Sequence, residues 1–238
     1  MSNLGDVWVY LATSPLLHLA LTLVAYRVGY VIYERQGLNP LFNPVLIAVT
    51  LLVIVLLATK TSYQTYFQGA QFVHFLLGPA TVTLAIPLYR QIERIRRSGF
   101  AIAISIIIGS LTASLSAIAI VWVLGGTRDS IISIAPKSVT APVAMGISEK
   151  LGGLPSLTAV LVILTGIIGA MIGPPVMNAL GIKDWAARGF AMGIGSHGIG
   201  TARALQVNEL AGAFAGLAMG MNAISTSLLL PILFRFLV

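Results

Sequence analysis

The chain is short of almost everything that builds a water-soluble surface or a hydrolytic centre. Its 238 residues hold no cysteine, seven acidic residues and three histidines. Without cysteine there are no disulfides and no thiolate metal sites. With so few carboxylates, mostly in polar connections, no paired-acid centre and no metal-ligand cluster is legible. The residues therefore point to no enzyme, no cofactor and no metal. Charged residues make up 9% of the chain and apolar ones 57%. Soluble domains carry about 25% charge, so this chain cannot cover itself with a solvated surface. Several of its apolar runs reach the roughly 20 residues that cross a bilayer. It reads as an all-α, polytopic transmembrane bundle forming a single membrane domain over 1–238.

The net charge of +7 could suggest nucleic acid, but the basic residues occupy short connections between apolar spans, so no nucleic-acid partner is expected. Such residues mark the cytoplasmic face. Arg90–Ser98 is the densest of these connections. If it is cytoplasmic, alternating spans place Arg27, Arg35, Lys183 and Arg188 with it, leaving Lys60, Arg128 and Lys150 outside. This holds if Ser130–Ser148 returns to the face it entered from, and the N-terminus is then outside. The N-terminal stretch shows no charged leader or cleavage site, so the first span is expected to serve as its own targeting signal.

Expected spans are Val7–Tyr30 (bent at Pro15), Pro44–Thr59, Phe72–Tyr89, Phe100–Leu124, Gly152–Leu180 and one within Asn208–Val238. Gly212, Gly216 and Gly220 form a small-residue stripe on the last, read as a packing face. His18 and His74 are isolated in spans and read as structural.

Two polar interruptions break this pattern. Ile134–Met145 reads IAPKSVTAPVAM. Pro136 and Pro142 should each break or kink a helix. The half-helix beginning near Ser138 would present free N–H groups, beside the Lys137 ammonium and the Ser138 and Thr140 hydroxyls. That set suits a small carboxylate. The blander reading has Lys137 reaching an interface while the prolines end a helix. Residues 189–203, GFAMGIGSHGIGTAR, form the second interruption. Gly195, Gly198 and Gly200 permit unwound backbone. Ser196, His197 and Thr201 offer neutral donors, and Arg203 a bidentate grip. Here the blander reading is tight helix packing, with Arg203 paired to Glu209. Both interruptions are expected to be discontinuous or re-entrant, as in transporters, and to converge on one site. A third wall could come from Thr81 and Thr83 beside the helix-breaking Pro79.

Two motifs mislead. Gly193–Gly198 fits G-x-G-x-x-G, but no strand precedes it and no acid follows about 20 positions on. Ser196 beside a histidine suggests a hydrolase, but Ile194 stands where the first glycine of G-x-S-x-G belongs.

Three stretches carry a family resemblance: GPATVTLAIPLYRQ (Gly78–Gln91), PKSVTAPVAM (Pro136–Met145) and GIGSHGIGTARAL (Gly193–Leu205). In order and at these distances they resemble the LrgB/CidB family of bacterial membrane proteins, over nearly the whole chain. The resemblance implies a multi-pass protein of the bacterial cytoplasmic membrane, paired with a small LrgA/CidA-type membrane protein. It implies two functional classes. One is holin- or antiholin-like control of murein hydrolase activity and lysis. The other is transport of small monocarboxylates, since a related plastid protein moves glycolate and glycerate and some bacterial pairs are implicated in pyruvate uptake. The polar interruptions favour transport of glycolate, glycerate, pyruvate or lactate, with the regulator as the alternative. A homo-oligomer is a further expectation.

Overall fold

The computed structural model describes residues 15–76, 79, 82, 83 and 85–237, without the side chains of His74, Phe236 and Leu237. All described elements are helical. Five helices are long and apolar enough to cross a membrane: Pro15–Arg35, Pro40–Ala58, Gly99–Val123, Pro155–Ala179 and Glu209–Arg235. Their outward faces are rich in exposed leucine, isoleucine, valine and aromatic side chains. The protein is a multi-pass membrane protein. The chain divides into two compact units, Met1–Thr83 and Leu84–Val238.

In the first unit, α1 (Pro15–Arg35) and α2 (Pro44–Ala58) are joined through a short 3-10 turn at Pro40–Phe42, and α3 (Tyr63–Phe75) follows α2. Asn43 starts α2: its Oδ1 accepts from the Val45 and Leu46 N–H groups at 2.8 and 3.3 Å, and Pro44 follows where no N–H is needed. The core is Ala25, Ala48 and Leu52 with Tyr66 against them. His18 is buried edge-on to the Tyr66 ring, centroids 5.9 Å apart, which fits the structural role expected of it. Helix α1 continues past the expected end at Tyr30. Tyr26 and Tyr30 stack one turn apart and Tyr33 is buried, so another turn of helix is held in place. Arg27 and Glu34 consequently face each other along the helix at 3.9 Å and not in a loop. Trp8 and Tyr10 lie outside the described residues. The expected span Phe72–Tyr89 falls partly outside them too; the helix carrying its start begins at Tyr63.

The second unit holds α4 (Ala85–Arg90), α5 (Ile92–Arg97), α6 (Gly99–Val123), α7 (Arg128–Ile134), α8 (Ala141–Leu151), α9 (Pro155–Ala179), α10 (Trp185–Val207) and α11 (Glu209–Leu237). Two ion pairs fix one end of it. Arg94 meets Asp184 at 2.9 Å and Arg90 meets Glu209 at 3.2 Å. The start of α6, the end of α9, the start of α10 and the start of α11 therefore share this basic end.

Asp184 has a second task. Its Oδ1 accepts from the Ala187 N–H at 2.8 Å and caps α10. Exposed ion pairs contribute about 1 kcal/mol at most, whereas losing an N-cap costs roughly 0.5–2 kcal/mol. Asp184→Ala should therefore lower the melting temperature of the detergent-purified protein more than Arg94→Ala, and Asp184→Asn should recover most of the difference. Equal losses in Asp184→Ala and Arg94→Ala would contradict this division.

Since α6 begins and α9 ends at the basic end, Leu124–Leu154 leaves and returns at the opposite end of these two helices. Neither helix of that excursion can cross alone. At about 1.5 Å per residue, the seven residues of α7 and eleven of α8 reach about 10 and 16 Å, against a hydrocarbon core of about 30 Å. They form a helical hairpin with its tip at Ala135–Thr140. Ile132, Ala135, Val139, Ala144 and Ile147 pack it against Val162 of α9 and Leu230 and Phe234 of α11. Its base is tied by hydroxyls: the Leu154 N–H donates to Ser133 Oγ at 2.8 Å, and the buried Thr158 Oγ1 lies 2.8 Å from Ser148 Oγ and 3.0 Å from the Ser133 carbonyl.

Helix α10 makes the opposite excursion. It starts at the basic end and reverses at His197, whose φ of 38° and ψ of −128° are not helical. A Cβ on Gly200 would stand 2.5 Å from the Met192 carbonyl oxygen, a closeness that a continuous helix rules out for residues eight apart. The second half runs back beside the first, and α11 begins at the same end. Met192 and Ala204 accordingly share one core cluster with Ala170, Met177, Ala211 and Ala215.

Candidate functional site

The tips of the two hairpins meet near the middle of α6, α9 and α11, all inside the second unit. The first tip is the turn Ala135–Thr140. Pro136 is buried directly after α7, where it cannot continue the helix. Pro142 does not break a helix, contrary to expectation. It occupies the first turn of α8, with Thr140 as N-cap, where a missing N–H costs nothing. Ser138 is buried, and Lys137 and Thr140 are half-buried.

The second tip turns on His197 itself. The expected unwinding at Gly195, Gly198 and Gly200 is narrower than the sequence suggests: these flank a single non-helical residue and none has a positive φ. Positive φ is uncommon for a side chain larger than glycine, and here it is held by packing. His197 Nε2 lies 2.9 Å from the Val162 carbonyl, a contact that puts the ring proton on Nε2. Helix α9 makes room with glycines. A Cβ on Gly166 would sit 2.6 Å from His197 Cε1, and one on Gly169 would collide with Ser196 Oγ. Thr201 Oγ1 donates to the His197 carbonyl at 2.8 Å, one of the groups the break releases. Ser196, His197 and Thr201 are all buried, and Arg203 is half-buried further back along the second half.

One residue that the sequence analysis does not single out joins the tips. Asn222 of α11 is fully buried. Its Nδ2 donates to the Ser138 carbonyl at 3.0 Å and approaches the Ile194 carbonyl at 3.4 Å. Its Oδ1 accepts from Ser110 Oγ of α6 at 2.7 Å and lies 3.3 Å from Thr226 Oγ1. A lone asparagine inside an apolar span is itself a signal, since burying an amide costs several kcal/mol unless it is bonded. Asn222 thus ties Ser138 of the first tip and the Ile194 carbonyl beside the second to one buried amide; Lys137 and Thr140 lie in the first tip with Ser138, and Ser196, His197 and Thr201 lie at the second. The structure does not show the third wall: Thr81 lies outside the described residues, and Pro79 and Thr83 are exposed members of the first unit.

Between them the two tips and Asn222 supply hydroxyls, an imidazole, an amide and one ammonium. No aspartate or glutamate occurs in 134–145 or 189–203. Among the described residues no group of three histidines and acids could hold a metal. Chemically this suits an anion held by hydrogen bonds and one charge.

The LrgB-like family model matches residues 22–236. The chain belongs to the LrgB-like family. Staphylococcus epidermidis Holin-like protein CidB is 35% identical over 91% of this chain and 94% of its own length. Staphylococcus aureus Holin-like protein CidB is 32% identical over 92% and 95%. The Bacillus subtilis protein YwbG is 36% identical over 92% and 97%. No solved structure matches. The match spans both hairpins and α11, so the two tips and Asn222 lie inside the family's region of this chain.

Proposed function

We propose that this LrgB-like protein moves a small monocarboxylate across the bacterial cytoplasmic membrane, alone or with an LrgA/CidA-type membrane partner. The observation that supports the reading is the meeting of two broken segments at the buried Asn222 amide, with Lys137 in one of them and no acid in either. An ionisable group at membrane depth is costly and marks a ligand path by default. Hairpins entered from opposite ends, with a polar site between their tips, are the parts of an alternating-access carrier. The side chains of the two tips suit a carboxylate with a neighbouring oxygen: Lys137 for the charge, and Ser138, Thr140, Ser196 and Thr201 for hydroxyl or keto groups.

A second reading has a specific observation of its own. The staphylococcal relatives are named holin-like, and those names speak for a holin- or antiholin-like regulator of murein hydrolase activity more directly than any finding speaks for a substrate. Such a role needs surfaces that pack, and it leaves the polar centre without a task.

Uptake separates the two. Purified protein in proteoliposomes, with and without the LrgA/CidA-type partner, should take up labelled pyruvate, glycolate, glycerate or lactate saturably. If no acid enters under a pH gradient of either direction, the regulator reading stands instead. Murein hydrolase activity of cells lacking the protein, measured by zymography, would then be the quantity that changes.

A further inference from the structure

We infer that α6 with the α7–α8 hairpin, and α9 with the α10 hairpin, are two copies of one unit inserted in opposite senses, and that Asn222 is the positioning residue clasping their tips. Both long helices have 25 residues. Each is followed by a short connection and then by a hairpin returning to its own starting end. The first copy runs from the basic end and its hairpin hangs from the far end; the second does the reverse. The two copies differ where they would have to: the first hairpin opens its backbone with Pro136, the second with the turn at His197.

Helix α11 stands outside the repeat and touches both copies along its length. Ala211 and Ala215 near its start lie against α10, and Leu230 and Phe234 near its end lie against α7 and α8. Asn222 sits between these contacts. Its single amide nitrogen serves a carbonyl in each tip, while Ser110 orients it from α6. Moving either hairpin away from α11 would break one of these bonds and leave the other. This arrangement makes the α7–α8 hairpin the gate of the far face and the α10 hairpin the gate of the basic face, with one residue coupled to both. As gates the hairpins rest on the transport reading. The inverted insertion and the clasp do not.

The chain has no cysteine, so single cysteines can be placed without background. In oriented membranes, a membrane-impermeant maleimide should label Arg128→Cys and Lys150→Cys from one face and Lys183→Cys and Gln206→Cys from the other. Labelling of either pair from different faces overturns the inverted insertion, whatever the uptake assays give. For the clasp, reporters are Thr140→Cys in the first tip and Ser196→Cys in the second, read with a small permeant maleimide. Adding Asn222→Ala should speed both about tenfold while leaving the four end positions unchanged. Asn222→Ser, which keeps a donor too short to serve both carbonyls, gives the same comparison if the alanine variant does not remain monodisperse. An unchanged rate at either tip in the folded variant overturns the clasp. Absence of uptake with the labelling pattern intact overturns only the transport reading.

Discussion

Gly193→Val should be the most destabilising single substitution in the second unit. Helices α10 and α11 approach so closely that a Cβ on Gly193 would collide with the Ala215 carbonyl oxygen and stand 2.8 Å from the Ala218 Cβ. Gly189 makes the same approach one turn earlier, against the Ala211 carbonyl. The obstacle in both cases is backbone, which cannot rotate aside as a flexible side chain would. Both neighbours on α11 are alanines with essentially no exposure, so there is no spare volume. Overpacking a tight interior costs about 1–3 kcal/mol, and more where backbone must shift; a branched side chain here should cost at least about 3 kcal/mol. The measurement is thermal unfolding in detergent, with size-exclusion profiles before and after heating. Gly195→Val and Gly198→Val are the controls. A Cβ on Gly195 meets nothing within 4 Å, and one on Gly198 meets only the Met219 sulfur at 3.9 Å. If Gly193→Val melts within a degree or two of these, the close approach is not holding the hairpin to α11.

These glycines also show where sequence reading reached and where it stopped. Composition and run length suffice for the five long apolar helices, while the expected span Phe72–Tyr89 is not one of them and falls partly outside the described residues; proline, glycine and lone polar residues suffice to locate both interruptions. The stripe at Gly212, Gly216 and Gly220 looked like one packing face. In the fold Gly212 is pressed against Leu205, while Gly220 is exposed with nothing near its Cβ position. Four-residue spacing marks a helix face but not whether a neighbour lies on it. On α10 the glycines that admit the backbone of α11 are Gly189 and Gly193, which fits the blander reading of that segment, tight helix packing. Asn222 escaped for a related reason. Its partners outside α11 are 112, 84 and 28 residues away, so the lone asparagine in MNAIST marks a polar position but not what that position joins. The reversal at His197 was legible as an interruption but not as a hairpin. A helix that kinks and one that folds back share the same glycine-rich sequence, and what separates them is Gly200 lying against Met192.

Lys137→Met should abolish saturable uptake and leave the fold at least as stable as before. The two halves of this expectation come from one fact. The Lys137 ammonium is half-buried in the first tip, and neither interruption contains a carboxylate to compensate it. A desolvated charge without a counter-charge costs folding free energy. Methionine keeps the length and the apolar stem but removes the charge, so the melting temperature in detergent should hold or rise. A carboxylate substrate, however, would lose its only cation within the two tips. Charge-assisted hydrogen bonds in a water-poor site are worth about twice a neutral one, and a loss of about 2.7 kcal/mol lowers affinity about a hundredfold. The fall should therefore be at least about a hundredfold in kcat/KM, and Lys137→Arg should restore part of it. Thr201→Val, which removes a hydroxyl bonded within its own helix, is expected to cost much less. Stability and transport falling together in Lys137→Met would mark the lysine as a structural residue. Unchanged uptake with unchanged stability would move the anion away from this tip, and the polar centre would then owe its existence to the clasp at Asn222 alone.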